Sequence, residues 1–305
     1  MSSTPDHRSV SVVVPTHDRP VRLARCLRAL ADSSTDHLDL EVVVVDDGSA
    51  IAPRAEVAAV ADRVDVRLHS QPNAGPAAAR NVGARLARHD LLAFTDDDCA
   101  PDPSWVDRLT APLLDDPRAL VGGTTVDAIG GVAPAASQYL VDGLYRWQES
   151  RPDGAFWTSN NLGCARGDFL EVGGFDETFP LPAGEDRELG VRWVRNGRTL
   201  LRAPDARVAH HHAMGLAGFW RQHRNYGKGA SRYREVLDEA GDGVEAMPPA
   251  FYATLLSEPF RHEPPWRAVP MSALIGISQV ATVSGFVAER RSLARRRRSD
   301  DSATR

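Results

Sequence analysis

The stretch Leu91–Val106, LLAFTDDDCAPDPSWV, sets three consecutive aspartates, Asp96, Asp97 and Asp98, at the end of an apolar run. Adjacent like charges repel and add little stability to an ordinary surface, so the triplet calls for a reason. Two readings are open. One is a polar turn where a strand reaches solvent, completed by Pro101, Asp102 and Pro103. The other is a site for a hard divalent cation, because Mg2+ and Mn2+ take carboxylate oxygens and require concentrated negative charge.

Two apolar runs upstream end in the same manner. Val12–Val14 stops at Pro15 in SVVVPTHDRP, and Val42–Val45 runs into Asp46, Asp47, Gly48 and Ser49. Unbroken β-branched runs suit strands buried on both faces, as in a parallel sheet. Between them Val21, Leu23, Cys26, Leu27 and Leu30 fall near helical spacing. The pattern further predicts a strand at Val64–Leu68, a helix at Pro76–Arg88 with proline near its first turn, and a strand at Leu91–Thr95. This alternation is that of a doubly wound α/β half. Ligands of such sheets bind beyond the carboxyl ends of the strands. Three of those ends carry PTHD, DDGS and TDDD, which together describe one cleft. Neither a glycine-rich dinucleotide loop after the first strand nor a phosphate loop ending in GK and Ser or Thr is present. A phosphorylated ligand therefore needs a metal to offset its charge, and Asp96 and Asp98, alternate residues, can hold one.

With 305 residues the chain can bury a full core, and 42% hydrophobic with 25% charged residues is an ordinary globular composition. A formal charge of -5 gives no reason to expect nucleic acid as a partner. Cys26, Cys99 and Cys164 are widely spaced and odd in number, which argues against a disulfide framework or a zinc site and fits a reducing cytoplasm. The opening MSSTPDHRSV lacks the apolar core of a secretory signal.

Taken in order, VVVPTHDRP, VVVVDDGS, NAGPAAARNVGARLA, FTDDDCAPDPSW, VGGFDETF, GEDRELGVRWVRNG and ARVAHHH resemble family 2 of the inverting nucleotide-sugar glycosyltransferases, over about Ser11 to Tyr226. The resemblance implies an α/β fold of the single-domain A type, with a Rossmann-like nucleotide-binding half, a mixed central sheet and a C-terminal helical appendage. The expected division is a flexible N-terminus at 1–9 and a catalytic domain at 10–230, split into a donor half at 10–100 and an acceptor half at 101–230. A helical appendage at 231–289 and a basic disordered tail at 290–305 follow. The donor would be a UDP-, GDP- or dTDP-sugar, and the acceptor a polysaccharide, a lipid-linked saccharide or another glycoconjugate. Pro15, Thr16, Asp18, Asp47, Arg80, Asp96, Asp97 and Asp98 would form the donor site, with Asp47 on the nucleobase. Asp96 and Asp98 would be the Asp-x-Asp motif that holds Mn2+ or Mg2+.

Glycosyl transfer explains the need for these groups. Charge grows on the nucleoside diphosphate as the sugar bond breaks, and a divalent ion stabilises it as a Lewis acid. An acceptor hydroxyl must lose a proton as it attacks, and a carboxylate can take it, typically for ~10²- to 10⁴-fold in rate. In GEDRELGVRWVRNG, Glu185 and Asp186 precede the amphipathic stretch Leu189, Val191, Trp193 and Val194. Acids there also complement a helix dipole. The resemblance makes Asp186 the base and Glu185 a supporting acceptor contact.

His210, His211 and His212 follow a predicted strand at Ala206–Ala209; an imidazole can complete an oxygen-rich metal site, and by resemblance His210, with His212 as alternative, does so. On the acceptor side, Asn160 and Asn161 either bind sugar hydroxyls or cap a turn, and the aromatics Tyr139, Tyr145, Trp147, Phe156 and Trp157 either stack on sugar rings or fill a core. Residues 268–288 carry no charged side chain, and six arginines follow among residues 290–298. The serines, threonine, glutamine and glycines make 268–288 a poor membrane span. A cytoplasmic enzyme with peripheral membrane contact through 268–298 is one expectation, and a helix docked on the catalytic domain is the other. Two other functions fit the same half-fold: an inactive carbohydrate-binding scaffold, and a sugar nucleotidyltransferase, which the missing glycine-rich loop and distant Lys228 disfavour.

Overall fold

The valine runs are unbroken because both sides of the sheet are covered. Val42 and Val44 join Leu23, Leu27 and Leu30 in one buried cluster, while Val43 and Val45 pack with Ala79 on the opposite side. Such alternation of side chains along a strand with no polar face is what a helix layer on each side demands.

The computed structural model describes residues 8–33, 38–149, 156–179, 183–239 and 247–303. Its first half alternates β1 (Arg8–Thr16), α1 (Pro20–Asp32), β2 (Leu38–Asp47), α2 (Arg54–Ala58), β3 (Asp65–Gln71), α3 (Pro76–Leu86) and β4 (Leu91–Thr95). Then come β5 (Cys99–Pro101), α4 (Trp105–Thr110), α5 (Pro112–Asp115), β6 (Leu120–Asp127), α6 (Val132–Glu149), β7 (Asn161–Ala165), α7 (Arg166–Glu171), α8 (Glu185–Arg195) and β8 (Leu200–His210). The remaining described elements are α9 (Leu216–Glu239), α10 (Pro249–Ser257), α11 (Pro259–His262) and α12 (Pro265–Ala303). Two compact units result: Met1–Ala128, Asp153–Thr178 and Asp186–His212 form one, and Ile129–Pro152, Phe179–Glu185 and Ala213–Arg305 form the other.

The first unit is an eight-stranded sheet in the order β3-β2-β1-β4-β7-β6-β8-β5. β3, β2, β1 and β4 are parallel, as the sequence predicts, with Val12 opposite Val42. Beyond them β7 is antiparallel to both β4 and β6, β8 is parallel to β6, and β5 is antiparallel to β8. Helix α3 approaches the sheet closely at Gly83, where an added Cβ would lie 2.3 Å from a Val13 methyl. Fully buried Glu41 accepts from Ser11 Oγ at 2.5 Å and from the Arg88 amide at 3.0 Å, and pairs with Arg67. It thereby ties β1, β2, β3 and the exit of α3 together at the end of the strands away from the acidic loops.

The second unit is helical, with Ala136, Leu140, Phe219, Phe251, Leu255, Met271 and Ile275 at its core. α9 and α12 cross on glycines: a Cβ at Gly227 would lie 1.9 Å from the Thr282 carbonyl oxygen, and one at Gly285 would lie 1.9 Å from that of Arg224.

Two expected boundaries are displaced. The division at 230/231 falls inside α9, and this unit also takes in α6 from the expected acceptor half. The reason is long-range packing of α6 with Phe219, Phe251 and Met271, which no local composition reveals. Residues 290–303, expected to be disordered, continue α12 as helix, in keeping with the good helix propensity of arginine and the lack of Gly or Pro there. Of the expected flexible segment 1–9, residues 1–7 lie outside the described residues and Arg8 already begins β1.

Because the obstacle at Gly285 is backbone, Gly285→Ala forces α9 and α12 apart. Overpacking of this kind costs about 1–3 kcal/mol, so the urea midpoint of the variant should fall; an unchanged midpoint would show that the crossing tolerates a methyl group.

Candidate active site

β4 ends at Thr95 and β5 begins at Cys99, so the three aspartates form the link between two strands. Their surroundings differ. Asp97 and Asp98 are 3% and 5% exposed, whereas the Asp96 side chain retains 30%.

Asp98 is the centre of a cluster of cationic and imidazole groups. His210 Nε2 lies 3.3 Å from its Oδ1, while His212 Nδ1 lies 3.5 Å and Arg22 Nη1 3.0 Å from its Oδ2. Antiparallel pairing of β5 with β8 sets Cys99 opposite His210, and the His211 amide donates to the Asp98 carbonyl at 2.8 Å. Those backbone contacts explain how a loop after β4 meets histidines so far along the chain. The His210 and His212 rings stack at 5.2 Å between centroids. His210 is the last residue of β8, one position beyond the predicted strand end at Ala209. Burial alone would raise the Asp98 pKa, but hydrogen bonds from His210 and His212 hold it far below the usual carboxylate range. Burial likewise opposes the charged form of His210, yet its hydrogen bond to Asp98 leaves the pKa raised.

Asp97 points elsewhere, accepting from Thr16 Oγ1 at 2.8 Å and from Arg19 Nη1 at 3.2 Å. Its burial, with Arg19 opposing and Asp98 adding repulsion, pushes its pKa up to about 6. Asp96 accepts from Arg80 Nη2 at 2.6 Å. Arg80 is itself buried on α3, its guanidinium 5.5 Å from the centre of the Phe175 ring. Asp186 sits in the first turn of α8, half-buried, and accepts from the Arg187 amide at 2.8 Å. Desolvation raises the Asp186 pKa against the fields of Arg187 and Arg80. Arg80 thus acts on both Asp96 and Asp186. Glu185, the first residue of α8, is buried.

The loops after β1 and β2 are clasped to each other. Asp18, at φ 53°, donates its amide to Ser49 Oγ and accepts from the Ala50 amide, each at 2.8 Å. Asp47 accepts from Gln71 Nε2 at 2.8 Å and from the amides of Ala74 and Gly75 at 2.9 and 2.8 Å, which fixes the entry to α3. Pro15 and Thr16 are buried at the end of β1. The structure therefore brings Thr16, Arg80, Asp96, Asp97, Asp98 and His210 into one charge network, and gives Asp18 and Asp47 loop-holding hydrogen bonds.

Two expected acceptor contacts are corrected. Asn161 is buried and saturated: it accepts from Trp105 Nε1 at 2.8 Å and donates to the carbonyls of Thr124 and Ala206 at 3.1 and 3.0 Å. Trp157 is buried with its ring over Gly122, where a Cβ would come within 2.3 Å of the indole. Both hold the sheet rather than a sugar. Tyr145 and Phe156 are buried too, and Tyr139 and Trp147 pack on the helical core. Asn160 remains half-buried, accepting from Thr158 Oγ1 at 2.8 Å and Thr125 Oγ1 at 3.3 Å.

Sequence reasoning passed over Arg19 and Arg22, which neutralise Asp97 and Asp98 from the start of α1; their spacing of one helical turn directly after PTHD was the available signal. It also passed over Asn81, which pins the VGGFDE segment to α3 through the Phe175 carbonyl and amide and through Glu177.

A carboxylate between two imidazole nitrogens, with a second, partly exposed carboxylate two residues away, is a donor set that fits Mn2+ or Mg2+. The Cys99 sulfur, Asp98 and His210 offer ligand atoms within 4.8 Å of one another. Burial holds the Cys99 thiol well above its usual pKa, so it stays protonated and is a poor partner for a hard cation.

The model of the family described as glycosyl transferase family 2 matches residues 11–169. The pre-mycofactocin glycosyltransferase of Mycobacterium tuberculosis is 34% identical over 237 residues, 75% of this chain and 48% of that protein. The validoxylamine A glucosyltransferase of Streptomyces hygroscopicus is 34% identical over 219 residues, 62% of this chain and 48% of that protein. The chain thus spans about half the length of these curated relatives. Among solved structures, the mannosyltransferase PcManGT from Pyrobaculum calidifontis in complex with GDP-Man and Mn2+ superposes with a TM-score of 0.67 at 18% identity, over 93% of this chain and 88% of that one. That likeness shows the fold, the A-type glycosyltransferase fold expected from the sequence.

Asp97 yields a pH prediction whose sign follows from its raised pKa. The unfolded chain releases this proton near pH ~3.9, the folded chain only near pH 6, so deprotonation erodes stability as pH rises through that window. Asp97→Asn should raise the melting temperature at neutral pH, with the gain disappearing below about pH 4. A gain that is equal at both pH values, or a loss at neutral pH, would reject a raised Asp97.

Proposed function

The chain belongs to glycosyl transferase family 2, and on that premise we propose that it transfers a sugar from a nucleoside-diphosphate sugar to an acceptor hydroxyl, with inversion at the anomeric carbon. The observation that carries this reading is the meeting of Asp98 with His210 and His212 in the same network as Asp96 and Arg80, whose charge also reaches Asp186. The donor is a UDP-, GDP- or dTDP-sugar, and the acceptor a glycan, a lipid-linked saccharide or another glycoconjugate. Cytoplasmic supply of such donors fits the buried thiols of Cys26, Cys99 and Cys164.

Asp98, with Asp96 and His210 or His212, would hold a divalent cation, Mn2+ or Mg2+, which would supply the Lewis acidity that offsets charge on a departing diphosphate. Arg22 and Arg19 pair with Asp98 and fix it in place. Arg80, buried and therefore preorganised, orients Asp96 toward the donor side. Asp186 takes the proton of the attacking hydroxyl as the new bond to the anomeric carbon forms and the bond to the diphosphate oxygen breaks. Its raised pKa makes it a stronger base than an exposed aspartate, while the Arg187 amide holds its orientation. Direct attack by the hydroxyl, with one carboxylate as base, inverts the configuration.

Two variants test the assignment. Asp186→Asn keeps the shape but cannot accept the proton, so turnover at saturating donor should fall by about 10²-fold or more with donor affinity retained. Equal losses in both would move Asp186 to donor binding, and near-normal turnover would point to Glu185 as the base. Asp98→Ala should abolish the Mn2+-dependent part of nucleoside-diphosphate binding in calorimetric titration, because the diphosphate loses its counter-charge. Unchanged affinity in a folded variant removes Asp98 from the donor site. Transfer or donor hydrolysis by the parent chain, lost on metal chelation, separates this enzyme from a carbohydrate-binding scaffold on the same fold.

A further inference from the structure

Helix α12 carries two faces of opposite fate. Ala268, Met271, Ile275, Ser278 and Ala281 are buried in the helical unit, and Gly285 abuts the backbone of α9. On the other side Trp266, Val269, Ile277, Val280, Val283 and Val287 are exposed, Trp266 by 75% and Val280 and Val283 by 62% each. Their spacings are sums of three and four, so they form one stripe along the helix. At 1.5 Å per residue it runs roughly 30 Å. Leu256 of α10, also exposed, lies 3.9 Å from the place a Cβ would take on Gly276 and widens the stripe. No charged side chain interrupts residues 268–288; after Glu289 the arginines begin at Arg290 and Arg291, both exposed.

We propose that this stripe is a docking face for an anionic phospholipid surface, on which α12 lies in the plane of the interface. Length and composition alone would also allow this helix to cross a bilayer. Crossing requires α12 to leave α9, and the glycine contacts at Gly227 and Gly285 commit its inner face to the protein. An in-plane helix needs only its outer face. Charge chooses the occupant: an apolar stripe followed by six arginines in residues 290–298 matches a surface that is apolar beneath and negative at its headgroups. A second copy laid in parallel would instead bring two arginine clusters together.

The test uses the full chain and needs no nucleotide sugar, so it stands apart from the assignment of the active site. Phosphatidylcholine vesicles with phosphatidylglycerol should sediment the protein, more at low than at high salt, and vesicles of phosphatidylcholine alone should sediment much less. Val280→Asp with Val283→Asp, at exposed positions outside the packed face of α12, should lower partitioning at least about tenfold, as should Arg290→Glu with Arg291→Glu. Brominated lipid should quench the parent chain but not Trp266→Phe to the same extent, a readout that needs no charged variant. Absence of binding at either salt, or equal binding by the valine variant, overturns the proposal. A dimer in sedimentation velocity that the valine variant dissociates, without vesicle binding, assigns the stripe to a second copy instead.

Discussion

The carboxylate of Asp98 is almost wholly removed from water and must keep its charge. An ion in that position is stable only when paired and hydrogen-bonded, since the cost of desolvating it otherwise exceeds what one contact returns. Arg22, His210 and His212 meet that requirement together, with Arg19 within 3.8 Å. Their convergence fixes much of the sheet unit. α1 has to start directly after β1 to present Arg19 and Arg22, and β8 has to run alongside β5 to deliver His210.

That constraint also explains why three like charges stand together. Each aspartate belongs to a different partner: Asp96 to Arg80, Asp97 to Thr16 and Arg19, Asp98 to the histidines and Arg22. Their opposite titration behaviour follows from the same arrangement. Asp98 is held far down by its imidazole partners, whereas Asp97, with burial unmatched by equal compensation, is pushed up. Removing any one partner leaves charge uncompensated in a buried loop, so the triplet behaves as a single electrostatic unit rather than as three independent ligands.

The helical unit rests on a different principle, close approach of backbones. Gly227 and Gly285 let α9 and α12 come together with no side chain between them, which spends the small-residue positions of an otherwise uncharged segment on packing. The valines left outside are what remains of that segment's apolar surface. Contiguous exposed apolar surface of this kind marks an interaction site more often than chance.

Local pattern determined the parallel half of the sheet, because β-branched runs that are apolar at every position can be satisfied only between two helix layers, and β1, β2 and β4 lie where Val12–Val14, Val42–Val45 and Leu91–Thr95 predict. Residue type likewise marked Asp96, Asp97 and Asp98 as a charged cluster at a strand end, the motif resemblance added Arg80 and His210, and the fold joins them in one network. What the chain alone left open was direction. Asn161 and Trp157 read equally well as sugar contacts or as packing, and the sheet decided for packing: Asn161 bridges Trp105, Thr124 and Ala206, and Gly122 leaves the hollow that the Trp157 ring fills. The same holds for Arg19, Arg22 and α6, whose roles depend on partners far away in sequence. A side chain's identity is local, but its burial and its partners are set by strand pairing and helix crossing, and these exist only once the chain has folded.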